Sequence, residues 1–201
     1  MIDLKLSRKL GSAIISPSIS DNGTICIYGK NGSGKTSTLL MICGFLPPDS
    51  GYVTINGRDV TSLQPQKRSA VFINQDTYFP DMDVDEHLVR FVAKRSIRAS
   101  NDNIAEIREL TGINFVGRVK NLSLGQKIRV SIGTALISRP EVLVIDEALS
   151  NLDDKDHVLE NLNDYARRYR IDMIFVTQDK DDSKLSDHLY HMDMGISERI
   201  F

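Results

Sequence analysis

The 201-residue chain carries 25 Lys+Arg against 27 Asp+Glu, a formal net charge of -2, with 41% hydrophobic and 26% charged residues. Those proportions are of an ordinary globular protein and argue against collagen, a disulfide scaffold or a disordered tail. The near-balanced charge argues against nucleic acid as a partner, since domains that grip its backbone carry a basic stripe.

This length supports one well-buried core, with room for a small inserted lobe but not for two full domains. Cys26 and Cys43 sit among apolar neighbours in no metal-ligand or redox spacing, which predicts reduced core thiols. The opening MIDLKLSRKLGSAIIS lacks the continuous apolar stretch of a signal peptide, and no uncharged apolar run approaches the ~20 residues of a membrane span. The chain is therefore expected in the cytosol, with any work at a membrane done through a separate anchor.

In chain order, the short apolar runs Ala13–Ile15, Thr24–Tyr28 and Tyr52–Ile55 predict strands, and Val71–Asn74 predicts a fourth. Pro47-Pro48-Asp49-Ser50-Gly51 and Asn56-Gly57 punctuate this part as loop and hairpin turn. A helix is predicted from Lys35 to about Cys43, directly after a glycine loop. From Asp83 to Ser138 the alternation gives way to helical stretches at Val84–Lys94, Asn103–Leu110 and Leu124–Ile137, broken at Gly112 and Gly117. Glu141–Ile145 and Ile171–Val176 are dense apolar strands fit for burial on both faces, and Asp153–Arg170 between them is an amphipathic helix. Buried strands alternating with helices predict an α/β core with a parallel sheet. Residues 1–75 and 140–201 form that core in this reading, with a helical subdomain over about 76–139, all in one domain.

The segment Gly29-Lys30-Asn31-Gly32-Ser33-Gly34-Lys35-Thr36 follows an apolar strand and opens a helix. Glycine lets the backbone curl until its N–H groups point inward, and the helix N-terminus adds its positive end, so phosphate oxygens are held. In that pattern Lys35 neutralises the β- and γ-phosphates and Thr36 offers a hydroxyl to Mg²⁺. ATP with Mg²⁺ is the predicted ligand pair. A second motif, Val142-Leu143-Val144-Ile145-Asp146-Glu147, places Asp146 at a strand end for the metal's shell and Glu147 next to it as the base for attacking water.

Between these motifs Asn121-Leu122-Ser123-Leu124-Gly125-Gln126-Lys127 resembles the LSGGQ signature of ATP-binding cassette (ABC) ATPases, differing at Leu124. Ser123 is also a fit helix N-cap. The resemblance covers nearly the whole chain. Gln75 matches the glutamine of the Q-loop, Met82–Leu88 the stretch that follows it, Ser150-Asn151-Leu152-Asp153 the D-loop, and Ser186–Gly195 the closing strand. Ala148 stands where the family usually has Pro. The resemblance implies a P-loop NTPase core with a mostly parallel sheet, an N-terminal antiparallel β portion and an inserted helical subdomain. It also implies a metal set of Thr36, Gln75 and Asp146, with Ser123, Gly125, Gln126 and Asp153 completing the nucleotide site of a second ABC subunit, in a dimer closed by ATP.

Two departures stand out. Gln178 occupies the position of the family's switch His, and its amide can donate a hydrogen bond but cannot be protonated, so hydrolysis is expected to be slow or altered. An amide satisfied by the backbone at the strand end is the alternative. Residues 1–27 contain no Phe, Tyr or Trp to stack the base, which must rest on aliphatic stems near Arg8 to Leu10, and ATP is then weakly preferred over GTP. For function, the resemblance implies an energy-coupling subunit, peripheral on the cytoplasmic face of the membrane, with a separate transmembrane permease docked near Asp76 to Arg95. A soluble scaffold or assembly ATPase and a weakly hydrolysing regulatory partner are the alternatives. No regulatory extension follows the closing strand, which suits a small subunit similar in size to the haem-exporter ATPase of cytochrome c maturation.

Overall fold

The computed structural model describes residues 1–90 and 101–201. Its first third contains β1 (Ile2–Leu10), β2 (Ala13–Ile15), β3 (Ser18–Asp21), β4 (Thr24–Tyr28), α1 (Lys35–Cys43), β5 (Ser50–Ile55) and β6 (Arg58–Asp59). Next come β7 (Ala70–Ile73), α2 (Val84–Val89), α3 (Asn101–Thr111) and α4 (Leu124–Ile137). The chain closes through β8 (Val142–Asp146), α5 (Lys155–Tyr169), β9 (Asp172–Thr177), β10 (His188–Asp193) and β11 (Ile196–Arg199).

Two sheets result. The first runs β2-β1-β5-β6 with β3 also on β1, and its pairings are antiparallel. The second runs β11-β10-β4-β9-β8-β7 and is parallel except where β11 turns back on β10. This is an α/β fold with an antiparallel N-terminal sheet and a mostly parallel one. Because β4, β7, β8 and β9 run the same way, their C-terminal ends emerge on one edge. The register sets Tyr28 beside Thr177 and Asp146 beside Val176, so the segments after these strands meet.

Side-chain alternation along β4 divides the interior. Ile25 and Ile27 join α1 and the antiparallel sheet in one buried cluster, whereas Cys26 faces the cluster built by α4 and α5. Val84 and Leu88 of α2 and Ile107 of α3 belong to this second cluster, as do Leu143 and Ile145 of β8. The helical segment thus shares its apolar interior with the parallel sheet. Both cysteines are free and buried, as their apolar neighbours and spacing predict, and burial pushes each thiol up to about 12.

The longest strand, β1, was not among the predicted elements. Ile2, Leu4 and Leu6 are buried, but Asp3, Lys5 and Ser7 alternate with them, and a search for unbroken apolar runs passes over that pattern. The same holds for β3, where Ile19 and Asp21 point inward. Of the helix expected over Val84–Lys94, α2 accounts for Val84–Val89 and residues 91–94 lie outside the described residues. It opens on a capping box between Asp83 and Glu86.

Candidate nucleotide site

The glycine loop leaves β4 and winds into α1. At Gly29 a side chain has no room, because a Cβ there would lie 2.2 Å from the Met192 carbonyl oxygen of β10. Gly34, the N-cap of α1, sits at φ 106°, in the region only glycine enters freely. The loop is braced from outside by the Gly195 N–H, which donates to the Ser33 carbonyl at 2.9 Å. Lys35 is 4% exposed, and its ammonium folds back to the carbonyls of Gly29 at 2.8 Å and Lys30 at 3.0 Å. The Ser33 hydroxyl is buried with no hydrogen-bond partner among the described residues. A buried orphan hydroxyl beside curled amides fits an anionic oxygen ligand.

The acidic motif closes on this loop. Thr36 donates to Asp146 Oδ1 at 3.1 Å, and the Lys35 ammonium lies 3.6 Å from Glu147 Oε1. Burial raises the Asp146 carboxyl above its usual value; Glu147 adds to the rise, while the Thr36 hydroxyl and Lys35 oppose it. A hydroxyl and a partly buried carboxylate held together make an all-oxygen donor pair that fits a hard divalent cation. Glu147 has φ 52°, a left-handed conformation that for a non-glycine residue stores about 1–3 kcal/mol of strain. It is held there by Ser150, whose hydroxyl donates to the Glu147 carbonyl at 2.6 Å, and by Asn151 at 3.5 Å. Ala148 is fully buried and starts the turn Ala148–Asn151. Among the described residues the Gln178 amide donates to Glu147, not to the backbone.

Other predicted residues stand apart from this cluster. Gln75 is exposed just beyond β7 and makes no side-chain hydrogen bond among the described residues. Ser123 caps α4 and exchanges bonds with Gln126, the Gln126 N–H donating to its hydroxyl at 3.2 Å and its own N–H donating to Gln126 Oε1 at 3.0 Å. Gly125 packs on the D-loop, 3.0 Å from Asn151 O at its Cβ position, and Asp153 is exposed without a partner among the described residues. The helix start carrying Ser123 makes no hydrogen bond to its own glycine loop. Near the expected base platform, Arg8 is drawn to Asp49 at 2.6 Å, leaving partly buried Leu10 opposite Ala13 as the aliphatic surface. Sequence reasoning missed Ser150 as the clamp on Glu147 and Met192 as the wall against Gly29. A hydroxyl three residues after the strained position is the only signal for the first, and backbone approach leaves none for the second.

A phosphate loop, a strand-end Asp-Glu pair and a capped signature helix on one sheet are now in view. Residues 13–150 match the family described as ABC transporter. The chain belongs to the ABC transporter family. Among its relatives, an uncharacterized ABC transporter ATP-binding protein of Sinorhizobium fredii is 34% identical over 90% of this chain and 56% of that protein. A molybdenum import ATP-binding protein, ModC, of Paramagnetospirillum magneticum is 34% identical over 97% of this chain and 57% of its own length. A spermidine/putrescine import ATP-binding protein, PotA, of Hahella chejuensis is 35% identical over 91% and 52%. The chain thus spans little more than half the length of these relatives. In fold it is like the dimeric bacterial ABC transporter cassette MJ0796, with a TM-score of 0.83 at 21% identity over 100% of this chain and 99% of that one. No helix among the described residues is long and apolar enough to cross a membrane.

Proposed function

We propose that this ABC chain is the ATP-hydrolysing subunit of a membrane importer whose permease is a separate chain. One observation carries the reading: Lys35, Thr36, Asp146, Glu147 and Gln178 converge at the C-terminal edge of the parallel sheet, linked by contacts of 3.1 to 3.6 Å. In this reading the amides from Gly29 to Gly34 and the Lys35 ammonium hold the triphosphate. Thr36 and Asp146 hold Mg²⁺, and Gln75 joins them from the end of β7. Mg²⁺, when bound, offsets the charge of the β- and γ-phosphate oxygens. Glu147 orients the attacking water and accepts its proton, while Gln178 holds that carboxylate in place.

Ser123, Gly125, Gln126 and Asp153 are exposed or partly exposed and belong, in this proposal, to the nucleotide site of a second subunit. This helix start, capped by the exchange between Ser123 and Gln126, turns the positive end of its dipole toward an anion. Residues 76–139 act as a helical lobe on the core of 1–75 and 140–201, and the permease docks against it on the cytoplasmic face. The names of the molybdenum and polyamine relatives support import as the direction.

Replacement Glu147→Gln should keep nucleotide binding and stop turnover, so that ATP and Mg²⁺ trap a dimer. Light scattering at saturating ATP measures it. A mass that stays monomeric would count against the two-subunit site.

A further inference from the structure

The Glu147–Gln178 pair borders a cavity of about 170 Å³, whose lining also includes apolar Leu149, Leu159 and Phe175 and polar Lys155, Thr177 and Asp182. Its apolar lining belongs to the buried core, whereas a polar side chain that faces the open space is placed by its polar contacts. Those contacts form a chain. Lys155, the first residue of α5, pairs with Asp182 Oδ1. Asp182 Oδ2 accepts from the Thr177 hydroxyl, which in turn accepts from the Asp179 N–H at 3.0 Å. The Thr177 hydroxyl therefore has a fixed direction, and it closes the turn that carries Gln178. The Asp182 side chain is 15% exposed and Thr177 is 8% exposed.

At its other end the chain reaches the D-loop. Lys155 follows Asp153 and Asp154, and Asp154 is paired with Arg129 of α4, the signature helix. Ser150, in the same loop, clamps the strained Glu147 backbone. We propose that Lys155 and Asp182 are positioning residues, which fix the D-loop and the Gln178 turn as one unit and so set how Gln178 meets Glu147. The inference rests on the hydrolytic reading above. It makes the register between carboxylate and amide depend on an ion pair that touches neither. The Lys155 ammonium is held charged by Asp182, which raises it above the ordinary lysine value.

The test compares Lys155→Met, Lys155→Arg and Asp182→Asn. Asp182→Asn keeps an oxygen for the Thr177 hydroxyl, so the strand end stays capped. Lys155→Met and Asp182→Asn should each lower kcat about tenfold while ATP affinity stays within about twofold, the pattern of a misplaced group and not of a lost binding contact. Lys155→Arg should restore most of the rate. In the nucleotide-free proteins, hydrogen–deuterium exchange should rise over both 148–158 and 176–183 in either single variant. An unchanged kcat in both, or exchange that rises only in the segment bearing the substitution, would overturn the proposal. If the unsubstituted chain hydrolyses no ATP, the hydrolytic reading fails, and the exchange result still decides whether the two segments are linked.

Discussion

The side-chain amide of Gln178 donates to Glu147, 3.3 Å from Oε1 and 3.5 Å from Oε2. A carboxylate held this way keeps its orientation, yet the amide can neither gain nor release a proton. Replacement Gln178→His offers a titratable donor at the same place. Hydrolysis should rise roughly tenfold, within the usual range for a positioned acid or base, and the pH–rate profile should gain a limb near the imidazole value of about 6.5. Steady-state rates from pH 5.5 to 8.5 measure both, and a His variant no faster than the parent at any pH would show that Gln178 does not limit the rate.

Asp146 gives a prediction with two signs. Its folded-state carboxyl is raised above 3.8, chiefly by burial, so the folded chain binds a proton more readily than the unfolded one. Its contribution to stability is fully present below the unfolded value and is lost as pH rises through the folded value. At neutral pH the ionised Asp146 therefore weakens the nucleotide-free fold. Asp146→Asn should raise the Tm of nucleotide-free protein at pH 7.5, while removing the further rise that Mg²⁺ and ATP give the parent. Thermal melts with and without both ligands test it, and a nucleotide-free variant less stable than the parent would reverse the sign.

What the sequence discloses here follows from how local each feature is. The loop from Gly29 to Thr36 is legible because a helix N-terminus and three glycines are one contiguous pattern. Asp146 and Glu147 are legible because a dense apolar run delivers them. The contact of Gln178 with Glu147 is not, because it depends on the register of β8 beside β9, which no local pattern encodes. Strand β1 is hidden for a related reason, since its polar alternates face outward and only pairing with β5 makes it a strand. Arg68 shows the limit as well, since two of the carbonyls it meets, Met41 and Ile42, are more than 25 residues away in the chain.

Arg68 is 2% exposed and meets no carboxylate at ion-pair distance among the described residues. Its guanidinium donates to the carbonyls of Met41 at 2.7 Å, Ile42 at 3.0 Å, Thr61 at 2.6 Å and Leu63 at 2.8 Å. Two of these lie in the last turn of α1, where the helix dipole favours a cation; the Met41 carbonyl also accepts from the Gly44 N–H at 3.3 Å. Gly44 makes room, for a Cβ there would stand 2.4 Å from Arg68 Nε. Arg68→Met should cost about 3 kcal/mol in urea unfolding, because four carbonyls, two of them in buried contacts and two in part-buried ones, lose a charged donor at once. Arg68→Lys should recover only part, since one ammonium cannot span the fork. Since α1 carries the phosphate loop at its other end, nucleotide affinity should weaken in step with stability while kcat of the folded fraction stays near the parent value. A Met variant as stable as the parent would mean that these carbonyls find water instead.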